Sequence, residues 1–456
     1  MRQVLAIGAH PDGGCRSALM HPAIARSIAH TGLWLLLVLP LFLALLQARG
    51  PDFADAGAVL NWLGRLTGVA GLTCLLLAAA LIIRVPGFDR LFGGLTSLWK
   101  IHHRLGAASF LLLLAHPVLL SFAASDVSLS AAVDILFPPG GSVAAFFGWW
   151  ALIIMMIFLA PSFAFFGQPP YQRWKWVHRL SGVAVVLALV HTLMAGRTFP
   201  PPYDWFIWLT LAALAATAIA YRFLFSRRLG RRRYRIADVA HPANNVVELS
   251  LEAEGRPLRY RAGQFVYLTP YDRKLATGYA EEHPYTLSSS PTEKHLRVAI
   301  KDLGDSSRAL QHVTPGSRVR VEGPYGDFFP EHFGRELWIA GGIGITPFLA
   351  RARHLEATGE RADVVLIFAV QDEARALFRA ELEALARANK GFVLVFHFFY
   401  LEGPLNREFL GRHCPDFAER DAYLCGPVPL MELAAQFLQE GGGDVERIFT
   451  EEFALL

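Results

Sequence analysis

The chain has 456 residues, 53% of them hydrophobic, and a net charge of only +4, which gives no footing for a nucleic-acid partner. Its four cysteines, Cys15, Cys74, Cys414 and Cys425, form no CxxC pair, so neither a disulfide framework nor a zinc site is indicated. Apolar residues crowd between about 28 and 225, and the C-terminal half alternates like a soluble protein, the mark of a membrane domain joined to a soluble one.

Residues 1–27 read as a cytoplasmic tail. Its His-Pro-Asp run resembles the first strand of metal-dependent deacetylases, but Gly13 replaces the second acid and the apolar runs follow almost at once, so the match reads as accidental. His10, His21 and His30 are tail or interface residues on this reading, Met20 is an alternative start, and no cleaved signal peptide is evident.

Six apolar runs follow, near 28–48, 59–83, 98–123, 143–166, 176–196 and 205–225, each close to the ~20 residues that cross a bilayer. Basic residues collect before the first run, around the second-to-third loop, before the fifth and after the sixth, where Arg222, Arg227, Arg228 and Arg231–Arg233 cluster. The opposite loops carry Asp52, Asp55, Asp126, Asp134 and Asp204, with only Arg49 and Arg197. The positive-inside rule then predicts a multi-pass membrane protein with both termini cytoplasmic.

Runs three and five each carry a histidine at either end: His102 and His116, then His178 and His191. A 14-residue spacing places the first two roughly 21 Å apart and within about 40° of one helix face. Imidazole is costly in lipid, so an ionisable residue inside a span is a functional-site hypothesis. The two spans run parallel, which gives an inner pair, His102/His178, and an outer pair, His116/His191; helix-packing histidines are the plainer alternative. Two stacked haem irons would use all four. The 13-residue spacing in run five leaves its histidines about 140° apart on an ideal wheel. Helix distortion or tilt has to absorb that, with Gly182 between them as a help. His103 competes with His102 as the inner ligand: spacing from Gly106 favours His102, and aligning the His-Arg-Leu triplets favours His103.

After the sixth run, RRLGRRRYR reads as a stop-transfer and headgroup anchor. Short alternating strands then predict a small antiparallel β-barrel over 231–332, and alternating strands and helices predict a doubly wound α/β domain over 333–456. Three motifs carry chemistry. His283-Pro284-Tyr285-Thr286-Leu287-Ser288-Ser289 sets an aromatic and hydroxyls on one strand, suited to a flat polar ring, though Tyr and Thr are ordinary strand residues. Lys301-Asp302-Leu303-Gly304-Asp305-Ser306-Ser307 precedes a helix and suits a diphosphate or a plain helix cap. Ala340-Gly341-Gly342-Ile343-Gly344-Ile345-Thr346-Pro347 links strand to helix with glycines where backbone approaches a ligand, and Cys425-Gly426-Pro427 stands at a later strand end.

Taken in order, HPYTLSSS, the GDSS after a strand, GPYG, AGGIGITPF and YLCGP resemble the ferredoxin-reductase-like flavoproteins. With six spans and two histidine pairs in front, residues 28–456 resemble the NADPH oxidase and ferric reductase superfamily, especially its bacterial members. The resemblance implies a six-helix transmembrane haem bundle (28–226), an FAD barrel and a nucleotide domain, with FAD and two b-type haems as cofactors. It implies that Tyr285, Thr286 and Ser288 contact the isoalloxazine, beside His283, where soluble relatives often have Arg. Gly304, Asp305 and Ser306 would hold the FAD diphosphate, with Lys301 and Ser307 alongside, and Gly341, Gly342, Gly344 and Thr346 would face the nucleotide diphosphate. Cys425 would lie beside the nicotinamide, and Phe453 would cover the flavin. Gln371 and Pro404 stand where relatives often carry basic residues, which leaves NADH as open as NADPH. The implied reaction passes electrons from NAD(P)H through FAD and both haems to oxygen or a ferric chelate on the outer side. Arg197 is either an acceptor-steering group or an interface anchor. The alternatives are a membrane subunit that feeds a redox partner protein, and a haem sensor.

Overall fold

A computed structural model describes residues 22–137, 142–162, 171–195, 198–200, 203–226, 230–275, 277–329 and 334–451. Six helices are long and apolar enough to cross a membrane. They comprise α1 (Pro22–Leu45), α2 (Ala56–Ala80), α3 (Leu95–Ser125), then, after a short α4 (Leu129–Leu136), α5 (Val143–Leu159). The fifth span is built from α6 (Tyr171–His178) and α7 (Ser181–Ala195), and the sixth is α8 (Tyr203–Ala220), which ends in a π turn at Tyr221–Phe225. Side-chain caps fix three starts: Asp55 accepts from Ala58 N at 2.7 Å, Ser128 from Ala131 N and Ser142 from Ala145 N. Lipid-facing side chains stay apolar and exposed, as at Trp34, Leu39 and Phe206.

Helices α2 and α3 pack closely because α2 presents a stripe of small residues. A Cβ added at Gly64 would lie 2.8 Å from Leu120, and one at Gly71 would lie 2.6 Å from Leu113. Without a hydrophobic force between helices in lipid, such close backbone approach is what dispersion and hydrogen bonding need.

The fifth span is not one continuous α-helix. Arg179, Leu180, Gly182 and Val183 donate to carbonyls three residues back rather than four. Each residue in such a tightened turn rotates about 120° instead of 100°, so four of them add roughly 80° and cut the mismatch between His178 and His191 from about 140° to about 60°. The distortion expected near Gly182 is therefore an overwinding centred on Arg179–Val183.

The soluble part has two sheets. The first is antiparallel, in the order β4-β3-β6-β1-β2-β5. Its strands are β1 (Arg231–Ala243), β2 (Val246–Ala253), β3 (Phe265–Pro270), β4 (His283–Thr286), β5 (Leu296–Lys301) and β6 (Arg318–Tyr325). A bridge from Leu287 to Val298 joins the two outer strands, so the sheet curls closed. A short helix, α9 (Asp305–Leu310), follows β5. The second sheet is parallel, in the order β11-β10-β7-β8-β9. It contains β7 (Glu336–Gly341), β8 (Val364–Val370), β9 (Phe392–Phe398), β10 (Asp421–Cys425) and β11 (Ile448–Glu451), with α10 (Thr346–Thr358) directly after β7. The basic run after the sixth span is more than a headgroup anchor. Arg231–Arg235 form the start of β1 and pair with β6, Arg231 opposite Glu322.

Candidate functional site

In the bundle, His102 meets His178 and His116 meets His191, each pair with ring centroids 6.2 Å apart. Two imidazoles that share one iron at about 2 Å per bond have centroids roughly 6 Å apart, so both pairs fit bis-histidine haem ligation. His102 is the inner residue of choice: its ring is half-buried and faces His178, whereas His103 is exposed. Among the described residues no three His, Cys, Asp or Glu converge as a metal-binding group, so the donors come as pairs.

Backbone carbonyls orient three of the four rings. His102 Nδ1 lies 2.8 Å from Ala78 O, His116 Nδ1 2.7 Å from Gly64 O, and His191 Nδ1 2.7 Å from Ala144 O. A carbonyl only accepts, so each Nδ1 must carry the proton, which leaves Nε2 free as the ligand atom. The two outer residues use one device twice. His116 packs on Gly68, four residues after Gly64, and His191 on Gly148, four residues after Ala144; a Cβ on either glycine would sit within 3 Å of the ring. His178 differs, since its Nδ1 is buried with no hydrogen-bond partner among the described residues. Trp174 stacks on its ring at 4.9 Å and the edge of Phe158 meets it at 5.2 Å. Beside the inner pair, Gly106 and Gly182 lie four residues beyond His102 and His178, and a Cβ on either would touch nothing within 4 Å. That is the clearance a flat macrocycle between the helices requires.

Below the inner pair, membrane helices and barrel are clasped by buried charge. Glu282, the residue before the flavin motif, accepts from Arg222 at 2.7 Å, Lys175 at 2.9 Å and Arg84 at 3.4 Å, and also from Arg231. Glu322 of β6 takes Arg231 at 2.9 Å and Arg222 at 3.5 Å. Burial opposes ionisation of Glu282, but the surrounding Arg84, Arg222 and Lys175 outweigh it and hold the carboxyl well below the usual carboxylate range. The Arg84 guanidinium lies 4.0 Å from the Tyr267 ring centroid and 5.2 Å from that of Trp99, one turn before His102. Two more ties flank this cluster, Asp89 Oδ2 accepting from Gly326 N at 2.9 Å and Arg26 donating to Asp327 at 2.6 Å.

On the barrel, the strand motif and the helix motif converge. Glu281 Oε2 lies 3.4 Å from His283 Nε2 and accepts from Ser306 Oγ at 2.8 Å, so one anionic group bridges both. His283, Pro284 and Tyr285 of β4 are half-buried, with His283 and Tyr285 on one face of the strand. Leu287, Ser288 and Ser289 do not reach that face. All three are fully buried; Ser288 Oγ donates to Glu248 at 2.6 Å, and Ser289 Oγ meets the Tyr260 hydroxyl at 2.6 Å. Ser288 and Ser289 thus brace the barrel. Ser307 likewise caps its own loop, accepting from Gly304 N and Leu303 N at 2.9 Å, while Gly304, Asp305 and Lys301 stay at the surface and Thr286 is buried.

In the parallel sheet, the Gly341–Gly344 turn and the Cys425–Pro427 turn pack backbone on backbone. A Cβ at Gly344 would lie 2.3 Å from Cys425 O, and one at Gly341 2.6 Å from Pro427. Those two glycines thus serve the contact between turns, Thr346 Oγ1 donates to Ile343 O at 3.0 Å, and Pro347 is buried. The surface left to a ligand is Gly342, in the left-handed region at φ +54, and Ile343. The approach is reciprocal, since a Cβ added at Gly426 would lie 2.9 Å from Gly341. Cys425 is fully buried at the end of β10, and burial, then the nearby Glu451 charge, pushes its thiol well above the ordinary value. It acts as a neutral packing group rather than a nucleophile. Phe453 and Arg197 lie outside the described residues.

Residues 67–189 match the family described as ferric reductase like transmembrane component, 231–328 an FAD-binding domain and 338–436 an oxidoreductase NAD-binding domain. The chain has the ferric-reductase/NADPH-oxidase-like architecture. The three matches set a ferric-reductase-like transmembrane component ahead of FAD- and NAD-binding domains. The ferredoxin reductase component of a 3-ketosteroid-9-alpha-monooxygenase from Mycolicibacterium smegmatis is 35% identical over 206 residues, 44% of this chain and 57% of that protein. The reductase subunit of a stachydrine N-demethylase from Rhizobium meliloti is 30% identical over 46% of this chain and 63% of its own length. The chain thus spans less than two thirds of these curated relatives. A flavohemoglobin structure from Malassezia yamatoensis aligns at TM-score 0.44 with 21% identity, over 72% of this chain and 87% of that one.

One residue of this ferric-reductase-like bundle escaped sequence reasoning. Arg65 lies inside α2, next to the Gly64 carbonyl that holds His116, and pairs with Asp52 at 2.6 Å. The signal was present, since a lone arginine inside an apolar run is costly. The clasp at Glu282 gave no such signal, because its members come from five separate segments.

Proposed function

We propose that this protein moves electrons across a bacterial plasma membrane, from NAD(P)H at a cytoplasmic dehydrogenase module, through FAD and two b-type haems, to an acceptor at the outer face. The observation that carries the reading is the repeated pairing of imidazoles at 6.2 Å at two levels of one bundle. When bound, FAD supplies the change from two-electron hydride transfer to single electrons, and haem supplies the one-electron relay.

The chain's own residues do the positioning. His102/His178 would hold the inner iron and His116/His191 the outer, with Nδ1–H bonds fixing three of the rings. Gly342 and Ile343 offer the nucleotide its diphosphate surface. Cys425 packs beside the nicotinamide and keeps water from the reacting carbon. His283, Tyr285 and Ser306 line the flavin cleft, and Gly304 and Asp305 lie at its diphosphate end. Glu282 locks this cleft to the membrane helices.

Oxygen, reduced to superoxide, and a ferric chelate are the acceptors this arrangement suits. A second reading, delivery to a partner protein, is favoured by the relatives, which are the reductase component of a monooxygenase and the reductase subunit of an N-demethylase. Purified protein should contain two haems per flavin by pyridine haemochromogen assay, and NADH under argon should bleach the flavin. A ratio of one or none would sink the transmembrane relay. Superoxide trapping and ferric-citrate reduction then separate the acceptors, and failure of both favours the partner protein. Replacing Cys425 by alanine is expected to slow flavin bleaching roughly tenfold through looser nicotinamide placement, with FAD content unchanged; an unaltered rate would remove Cys425 from the site.

A further inference from the structure

The nucleotide preference can be argued from the far end of the parallel sheet; the argument rests on the nucleotide-donor reading above. Strand order reverses between β7 and β10, where the Gly342 turn and Cys425 meet. A dinucleotide laid in that crevice with its nicotinamide at Cys425 extends its adenosine half over the C-terminal ends of β8 and β9. Those ends are stitched together, the Gln371 carbonyl accepting from Tyr400 N at 3.0 Å. Tyr400 is 68% exposed there and offers a ring face to adenine.

The charges around that ring decide what the ribose can carry. Asp372 and Glu373 follow β8 directly, and Glu402 closes the loop after β9, accepting from Phe398 N at 2.7 Å. Two guanidinium groups lie nearby, and both are already neutralised. Arg375 pairs with Asp372 while it covers Tyr400 at 5.7 Å. Arg379 pairs with Glu373 and, at 2.8 Å, with Glu383, over the ring of Phe396. A doubly charged 2′-phosphate placed here would have to draw a guanidinium away from its carboxylate and would then face that carboxylate. A 2′-hydroxyl needs no such exchange, since it donates to a carboxylate directly.

We infer that the edge formed by Asp372, Glu373 and Tyr400 selects NADH over NADPH, with the two carboxylates setting the preference. The test is anaerobic flavin bleaching by the full-length protein with each nucleotide. Half-saturation is expected at about tenfold or more lower concentration with NADH. The double variant Asp372→Asn, Glu373→Gln releases Arg375 and leaves Arg379 paired with Glu383 alone among these carboxylates. It should lower the half-saturating NADPH concentration about tenfold and raise that of NADH a few-fold, with flavin content unchanged. Competition against NADH supplies a measurement without hydride transfer: AMP is expected to inhibit better than 2′-phospho-AMP. Equal or better use of NADPH by the unaltered protein, or an unmoved ratio in the variant, overturns the inference. If neither nucleotide bleaches the flavin, the donor reading itself falls and this inference with it.

Discussion

Replacing His191 by alanine is expected to leave one haem where the unaltered protein holds two, with flavin bleaching by NADH intact. His191 is held by the Ala144 carbonyl and packs on Gly148, so its ring is fixed before any iron arrives. Removing it leaves His116 without a counterpart 6.2 Å away. The inner pair, about 20 Å along α3, keeps its own contacts. Haemochromogen assay against flavin content reads the stoichiometry, and outer-side acceptor reduction should fall to background. Retention of both haems would remove His191 from the ligand set.

The second large effect is expected at Glu282. Glu282→Gln removes the anion that Arg84, Lys175, Arg222 and Arg231 share, and only Glu322 remains to two of them. Breaking a buried ion pair from one side leaves uncompensated charge and typically costs about 3–5 kcal/mol. The expected result is a lower unfolding temperature in detergent and slower haem reduction at unchanged flavin bleaching, because the flavin strand loses its register on the bundle. The same carboxylate gives a pH dependence of definite sign. Its folded pKa lies below the ordinary 4.5, so its contribution is complete above that value and is lost as the pH falls further. Thermal scans between neutral pH and pH 3 should show this loss in the unaltered protein and not in Glu282→Gln. Parallel pH profiles would show that the clasp contributes little.

The histidine pairs were legible in the sequence because lipid makes each imidazole conspicuous. The choice between His102 and His103 was not, since two equally sound alignments disagree, and only the facing ring of His178 decides it. Run five presented a wheel angle that could not work; the tightened turn at Arg179–Val183 resolves it, and no residue type there announces it. At the Gly341–Gly344 turn, Gly342 alone of the three glycines stays open at the surface. Gly341 and Gly344 are required by the neighbouring turn 80 residues on, a contact no local pattern encodes. Ser288 and Ser289 sat in a motif of the right composition but face inward, since the end of β4 turns into the barrel. Glu282 was passed over because an acid beside a motif carries no signal until arginines from distant helices arrive around it.

The joint at Glu282 gathers α6, the π turn after α8 and the loop after α2 onto one side chain, next to the His283–Thr286 strand. Those segments sit at the edge of the hydrocarbon layer and tilt when its thickness changes. On the relay proposed above, the seat of the barrel on the bundle is thereby geared to the lipid around it, and acyl-chain length is expected to alter the rate of haem reduction.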